Sequence, residues 1–166
     1  MADSADPAAA WRAPWLWTAA LVLADQAAKL LAIAHLKPSG YIPVIPGLFS
    51  LCYVENPGAA WGMLAGRQVF LIVFSVAISA LFFWKRRQFF GGPGGGVIFA
   101  TLAGGIIGNF IDRVRLGHVV DFLDFYWKQS HFPAFNIADA AICCATAALL
   151  ISQWHAERKA KARHDD

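Results

Sequence analysis

Charged residues and cysteines are scarce in this sequence, and each shortage excludes a class of protein. Only 15% of the residues are charged while 58% are hydrophobic, which is far from the balance of soluble domains. The cysteines number three, and Cys143 and Cys144 are adjacent inside an apolar run, so neither a disulfide framework nor a metal site is expected. The composition therefore predicts a membrane protein.

Several hydrolase motifs are also missing. The sequence has no HExxH zinc motif, no GxSxG nucleophile turn, and no Cys/His arrangement in a suitable context. The histidines are scattered over loops and chain ends, which is typical of solvated or interfacial side chains. We therefore expect no metal and no other cofactor.

Four apolar runs dominate the chain. We predict membrane spans at 15–36, 69–84, 97–111 and 137–154, within a single membrane domain that covers 1–166. The N-terminal segment lacks a cleavable signal pattern, so the first run is predicted to be retained. A soluble bundle of buried helices is the alternative, but it needs more amphipathic surface. The predicted fold is a mainly α membrane protein, a four-transmembrane-helix bundle.

Basic residues flank these runs unevenly. They cluster at 85–87 and at 158–163, after the second and fourth spans. Because cytoplasmic flanks are enriched in Lys and Arg, we predict a multi-pass membrane protein with both termini in the cytoplasm. The net charge of +3 is then explained by topology, and no nucleic acid partner is expected.

The first outward connection, 37–66, combines Pro and Gly punctuation with β-branched and aromatic residues. This pattern predicts a small β-rich extracytoplasmic cradle. Tyr53 and Trp61 there, with Tyr126 and Trp127 in the second outward connection, are typical of an interfacial aromatic belt.

Polar residues gather at the outer ends of the third and fourth spans. Asn109 and Arg113 are four apart with Asp112 between them, and Asn136 and Asp139 are three apart, so each pair shares a helical face. Those faces meet if the two spans pack together. The active site is therefore expected near the outer leaflet.

Small residues accompany this polar face. Gly104, Gly105 and Gly108 precede Asn109 and form a surface that lets neighbouring helices approach closely.

Two carboxylates in one desolvated site are the minimal apparatus of an aspartic protease. Their repulsion splits the two titrations so that one proton is shared. The charged carboxylate then accepts a proton from water, and the protonated one assists the developing oxyanion. The spacing alone leaves open whether Asp121 and Asp139 form such a pair.

Five blocks occur in order along the chain: DQAAK, VENPGAAWG, GGIIGNFIDR, VVDFLDFYW and FPAFNIADAA. In sequence and spacing they resemble the lipoprotein signal peptidase (signal peptidase II) family across about 15–155. The resemblance implies a membrane aspartic endopeptidase of the bacterial cytoplasmic (inner) membrane. Its implied substrates are diacylglyceryl-modified bacterial prolipoproteins, cleaved on the amino side of the lipidated cysteine. Membrane lipids are the other expected partners, and we expect a monomer.

The resemblance also implies site residues. Asp121 and Asp139 correspond to the catalytic dyad. Substrate-binding or supporting roles are implied for Asn56, Asn109, Arg113, Asn136, Asp25, Lys29 and Gly108. Asn56 also lies in Asn-Pro-Gly, a strong turn signal, and the two roles are compatible.

Structural interpretations compete at several positions. Asp25 and Lys29 are four apart and can form an ion pair that only orders the bundle. Asp112 is interpreted as a local partner of Arg113 or a cap, and Asp124 as a surface cap at the interface.

Two other functions are open from the residues alone. A small proton-coupled transporter would use buried acids as a relay, but it predicts polar residues through the whole membrane depth and paired repeats. A purely structural scaffold leaves the convergence of polar residues unexplained.

Overall fold

The computed structural model describes residues 9–59, 63–92 and 94–162 and is mostly helical. Its helical elements are α1 (Ala9–Leu31), a π-helical turn (Ala32–Leu36), α2 (Lys37–Ser39), α3 (Gln68–Trp84), α4 (Arg86–Phe90), α5 (Gly95–Leu116) and α6 (Ile137–Ala162). Its strands are β1 (Tyr41–Ile45), β2 (Phe49–Asn56), β3 (Val119–Trp127) and β4 (Ser130–His131). Trp61, predicted to join the aromatic belt, lies outside the described residues.

Three of these helical segments are long and apolar enough to cross a membrane: Pro14–Ser39, Gly95–Leu116 and Ile137–Arg158. Helix α3 is apolar but has 17 residues, a length of about 25 Å at the α-helical rise. This is shorter than the ~30 Å hydrocarbon core. The mainly helical architecture with a small sheet is confirmed, whereas the count of four spans stays a prediction.

Helix α5 packs against α1, α3 and α6, and its glycines allow the close approach that the sequence predicts. A Cβ added at Gly104 would lie 2.7 Å from Leu21 Cδ2 of α1, and one at Gly105 would lie 2.5 Å from the carbonyl oxygen of Ala138 in α6. Both distances are too short for real Cβ contacts. Helices α1, α5 and α6 can therefore pack closely here because the glycines of α5 lack side chains.

The sheet is antiparallel, in the order β1-β2-β3-β4, and it joins both connections that are predicted to face outward. Strands β1 and β2 come from the predicted β-rich segment 37–66. Strand β3 comes from the second connection, for which the sequence analysis predicts no strand. In the β2–β3 register Val54 faces Asp121 and Ser50 faces Asp124. The pairing therefore brings Asn56, at the end of β2, beside the start of β3.

The sheet packs on the end of α1 through a small apolar cluster. Ala32 and Leu36 of the π-helical turn are buried against Val120 and Phe122 of β3. Both faces of β3 are largely covered by the rest of the protein, so the polar side chains of this strand are buried as well. The interpretation of Asp124 as a surface cap is wrong: only 6% of its surface is exposed.

Candidate active site

A buried ionic cluster lies between α1 and α5. Lys29 Nζ is 2.8 Å from Asp25 Oδ2, 2.9 Å from Asp112 Oδ2 and 3.0 Å from Asn109 Oδ1. The ion pair predicted from the spacing of Asp25 and Lys29 is present. One ammonium thus faces two carboxylates and an amide oxygen, and hydrogen bonds satisfy the groups that burial removes from water.

The interpretation of Asp112 as a local partner of Arg113 is wrong, because its carboxylate points toward α1. Besides Lys29, it accepts hydrogen bonds from Gln26 Nε2 at 3.0 Å and from the Val120 N–H at 3.1 Å. Val120 immediately precedes Asp121. Asp112 therefore ties the start of β3 to the ionic cluster.

Asp25 reaches the first turn of α6. Its Oδ1 accepts the Ala138 N–H at 2.9 Å, a favourable place for a carboxylate because helix N-termini carry unpaired N–H groups and partial positive charge. Gly108 makes this contact possible, since a Cβ there would lie 2.6 Å from Asp25 Oδ2.

Asn136 caps α6 together with Asp139. Asn136 Oδ1 accepts the Asp139 N–H at 2.9 Å, and Asp139 Oδ2 accepts the Asn136 N–H at 3.2 Å. This reciprocal pair is a capping box formed by an N-x-x-D segment. The three-residue spacing noted in the sequence therefore fixes the Asp139 carboxylate at the helix start.

The same asparagine connects the two aspartates of the predicted dyad. Asn136 Nδ2 donates to Asp121 Oδ1 at 2.7 Å while its backbone holds Asp139. Asn56 Nδ2 donates to Asp121 Oδ2 at 2.9 Å, and Asn109 Nδ2 donates to Asp139 Oδ1 at 2.7 Å. Each carboxylate thus accepts two hydrogen bonds, and both belong to one network.

Burial raises the pKa of Asp121 to about 7, and the charge of Asp139 contributes to the rise. The hydrogen bonds from Asn56 and Asn136 act in the opposite direction because they stabilise the ionised form. A carboxyl group with this pKa can hold a proton at neutral pH, which an acid catalyst requires.

Arg113 holds the turn that follows β2. Its guanidinium donates to the carbonyl oxygens of Gly58 at 3.0 Å and Asn109 at 3.3 Å. Within the turn, the Gly58 N–H donates to Asn56 Oδ1 at 3.0 Å. The turn interpretation of Asn56 is confirmed, and the same side chain contacts Asp121.

These groups open into one cavity of about 1030 Å³. Its polar lining includes both aspartates, with Asn56, Asn109 and Arg113. Its apolar lining comes from α3, α5, α6 and the segment 132–135. The cavity therefore places two carboxylates at one end of a mainly apolar chamber.

The sequence analysis missed Gln26 and gave Asp112 the wrong partner. Gln26 Nε2 donates to Asp112 Oδ1 and to the Gly108 carbonyl oxygen at 3.2 Å. Gln26 adjoins Asp25 in the DQAAK block, and Asp112 lies in the GNFIDR block. The sequence signal for a role of each residue in the site was its position within one of these blocks.

Curated relatives cover nearly the same length as this chain. It is 46% identical over 144 residues to a lipoprotein signal peptidase of Syntrophotalea carbinolica, covering 84% of this chain and 89% of the relative. It is 42% identical over 152 residues to a lipoprotein signal peptidase of Aeromonas hydrophila, covering 87% of this chain and 90% of the relative.

Two solved structures share the fold. Both are described as bacterial membrane enzymes determined by the in meso method, at 2.3 Å and 1.9 Å resolution. The first structure has a TM-score of 0.74 and 31% sequence identity, and the match covers 86% of this chain and 88% of the solved chain. The second has a TM-score of 0.70 and 32% sequence identity, and the match covers 85% of this chain and 92% of the solved chain. Residues 17–155 match the family described as signal peptidase (SPase) II. The chain therefore belongs to the signal peptidase II family.

Proposed function

We propose that this protein removes signal peptides from bacterial prolipoproteins, with Asp121 and Asp139 as its catalytic pair. The aspartic class follows from the family. The single observation that carries the residue assignment is the Asn136 bridge, which holds one carboxylate with its side chain and the other with its backbone. Membership of a protease family also argues against the transporter and scaffold hypotheses.

The two carboxyl groups share one proton in the proposed reaction. The ionised carboxylate takes a proton from water as the water oxygen bonds to the carbonyl carbon, and the protonated carboxyl donates to the carbonyl oxygen. The diol then collapses: the C–N bond breaks, a proton moves to the leaving nitrogen and the carbonyl reforms. The raised pKa of Asp121 supports this sharing.

Asn56, Asn109 and Asn136 orient the pair in this scheme. They supply donors to the carboxylate oxygens, so each oxygen keeps a fixed direction while protons move. Arg113 holds the 56–59 turn against α5 at the cavity wall, where a substrate backbone can lie. Asp25, Lys29 and Gly108 act as support, because they reach the aspartates through Asn109 and the start of α6.

We propose that the protein lies in the inner membrane with both termini in the cytoplasm and the aspartates near the outer leaflet. The relative position of the two basic clusters supports this orientation. Gln153 Nε2 of α6 donates to the Phe89 carbonyl oxygen of α4 at 2.8 Å, so residues 85–87 and Arg158 lie at the same end of the bundle. The sheet and both aspartates lie at the other end.

We further propose that cleavage occurs on the amino side of a diacylglyceryl-modified cysteine. The apolar side chains that α3, α5 and α6 contribute to the cavity can contact a signal helix or acyl chains, while the polar end holds the scissile bond. One membrane domain spanning 1–166 and a monomeric state also stay predictions.

The test is incubation of the purified protein with a prolipoprotein bearing diacylglyceryl on its lipobox cysteine, followed by a gel-shift readout. The expected result is release of the signal peptide. The matched substrate without lipid should be cut poorly, because it lacks the chains that position the bond. Equal cleavage of both substrates would contradict lipid-dependent recognition, and no cleavage of either would contradict the proposed function.

A further inference from the structure

A second polar cluster lies in the sheet, on side chains that the proposed reaction does not use. Ser50 Oγ donates to Asp124 Oδ2 at 2.8 Å, and His131 Nδ1 lies 3.0 Å from both Asp124 oxygens. We call these three residues the outer clamp. The Asp124 carboxylate is buried, whereas 49% of the His131 side chain is exposed.

The outer clamp joins three strands. Ser50 of β2 is paired in register with Asp124 of β3, and His131 of β4 is paired with Tyr126 of β3. The His131 ring also stacks on Tyr126, with 5.0 Å between centroids and 15° between planes. Because β4 is only two residues long, side-chain contacts contribute much of the attachment of β4 to the sheet.

The chain that leaves β4 forms part of the active-site cavity. The Phe132 N–H donates to the Phe125 carbonyl oxygen at 2.8 Å, and the Phe135 N–H donates to that of Leu123 at 3.1 Å. Residues 132–135 line the cavity, and Asn136 follows directly. The position of β4 against β3 therefore bears on both the cavity wall and the residue that bridges the aspartates.

We propose that His131 is a positioning residue: paired with Asp124, it fixes β4 and thereby segment 132–135 and Asn136. Hydrogen bonds to a carboxylate are charge-assisted and roughly twice as strong as neutral ones. The activity readout of this inference rests on the proposed function.

The test compares kcat/KM of wild type with His131→Ala, which removes the hydrogen bond to Asp124, and with His131→Gln, which keeps a hydrogen-bonding group. His131→Ala should lose about fivefold in kcat/KM, and His131→Gln should recover most of that loss, because its amide can donate to the same carboxylate. His155→Gln, at an exposed histidine near the opposite end of α6, should leave kcat/KM unchanged.

Hydrogen exchange supplies a readout that does not need cleavage. The amides of Phe132 and Phe135 should exchange faster in His131→Ala than in wild type or His131→Gln, with no such difference in His155→Gln. Equal activity of His131→Ala and His131→Gln, or activity lost only in proportion to folded protein, would overturn the positioning role. So would unchanged exchange. If wild type cuts no prolipoprotein, the proposed function fails while the exchange experiment still decides the outer clamp.

Discussion

Lys29 Nζ donates a hydrogen bond to Asn109 Oδ1 at 3.0 Å, inside the helix bundle. With its oxygen engaged there, the Asn109 amide presents Nδ2 to Asp139 Oδ1 at 2.7 Å. An amide has one orientation when its oxygen and nitrogen need different partners. The buried charge of α1 therefore controls the direction of a donor to a proposed catalytic carboxylate.

Replacing Lys29 with Met should destabilise the protein strongly. The Asp25 and Asp112 carboxylates would remain buried without a counter-ion, which costs about 3–5 kcal/mol. Thermal unfolding in detergent, followed by tryptophan fluorescence, measures the loss. Lys37→Met is the matched control, because its ion pair with Glu55 is exposed and should contribute little. Equal losses in the two variants would contradict the role of the buried cluster.

Gly108→Ala should also destabilise the bundle, by about 1–3 kcal/mol, through overpacking. The new methyl would lie 2.6 Å from Asp25 Oδ2 and 3.2 Å from Ala138 Cβ, so α1 and α6 must both shift. Gly92→Ala is the control, since its Cβ would lie 3.7 Å from Ser152 Oγ, an ordinary contact. The same unfolding assay decides, and a Gly108→Ala protein as stable as Gly92→Ala would contradict the close packing.

The long helices could be predicted from the sequence because their signal is local. The run predicted at 69–84 is the helix Gln68–Trp84, and the run predicted to begin at 137 begins at Ile137, where the Asn136 cap ends the preceding loop. The third run was predicted to end at 111, but α5 continues to Leu116 because Arg113 and Arg115 are good helix formers.

Strand β3 and the partners of Asp112 and Asp124 could not be predicted in the same way. Both faces of β3 are largely covered, so its sequence VVDFLDFYW lacks the alternation of polar and apolar residues that marks a half-exposed strand. Its pairing with β2 and the contact of Asp112 with Lys29 join distant parts of the chain. The aspartate pair was predicted through the motif resemblance, because spacing alone left it open.

The raised pKa of Asp121 predicts a pH-dependent stability difference between wild type and Asp121→Asn. A carboxyl whose pKa is higher when folded contributes stability that is complete below its unfolded value near 4 and is lost as pH rises through about 7. Wild type should therefore lose stability relative to Asp121→Asn between about pH 4 and 7, by ~1.4 kcal/mol per pH unit at most. Parallel unfolding curves across this range would contradict the raised pKa.

Reporter fusions test the proposed orientation. Fusions after Arg87 and Arg163 should report the cytoplasm, because Lys and Arg favour that side. Fusions within 37–66 and after Gln129 should report the outer side. A cytoplasmic signal from the loop that contains Asn56 would contradict both the orientation and the proposed position of the site.

The central claim is that Asp121 and Asp139 act as one catalytic unit. The measurement is cleavage of a diacylglyceryl-modified prolipoprotein by Asp121→Asn, Asp139→Asn and the double variant. Thermal unfolding checks that each variant is folded. The control is Glu157→Gln, in the exposed end of α6. Each single variant should lose activity by several orders of magnitude, and the double variant should be little worse, because residues that act together are strongly non-additive. Substantial turnover by either well-folded single variant would contradict the mechanism, and additive losses would show that the two aspartates act independently.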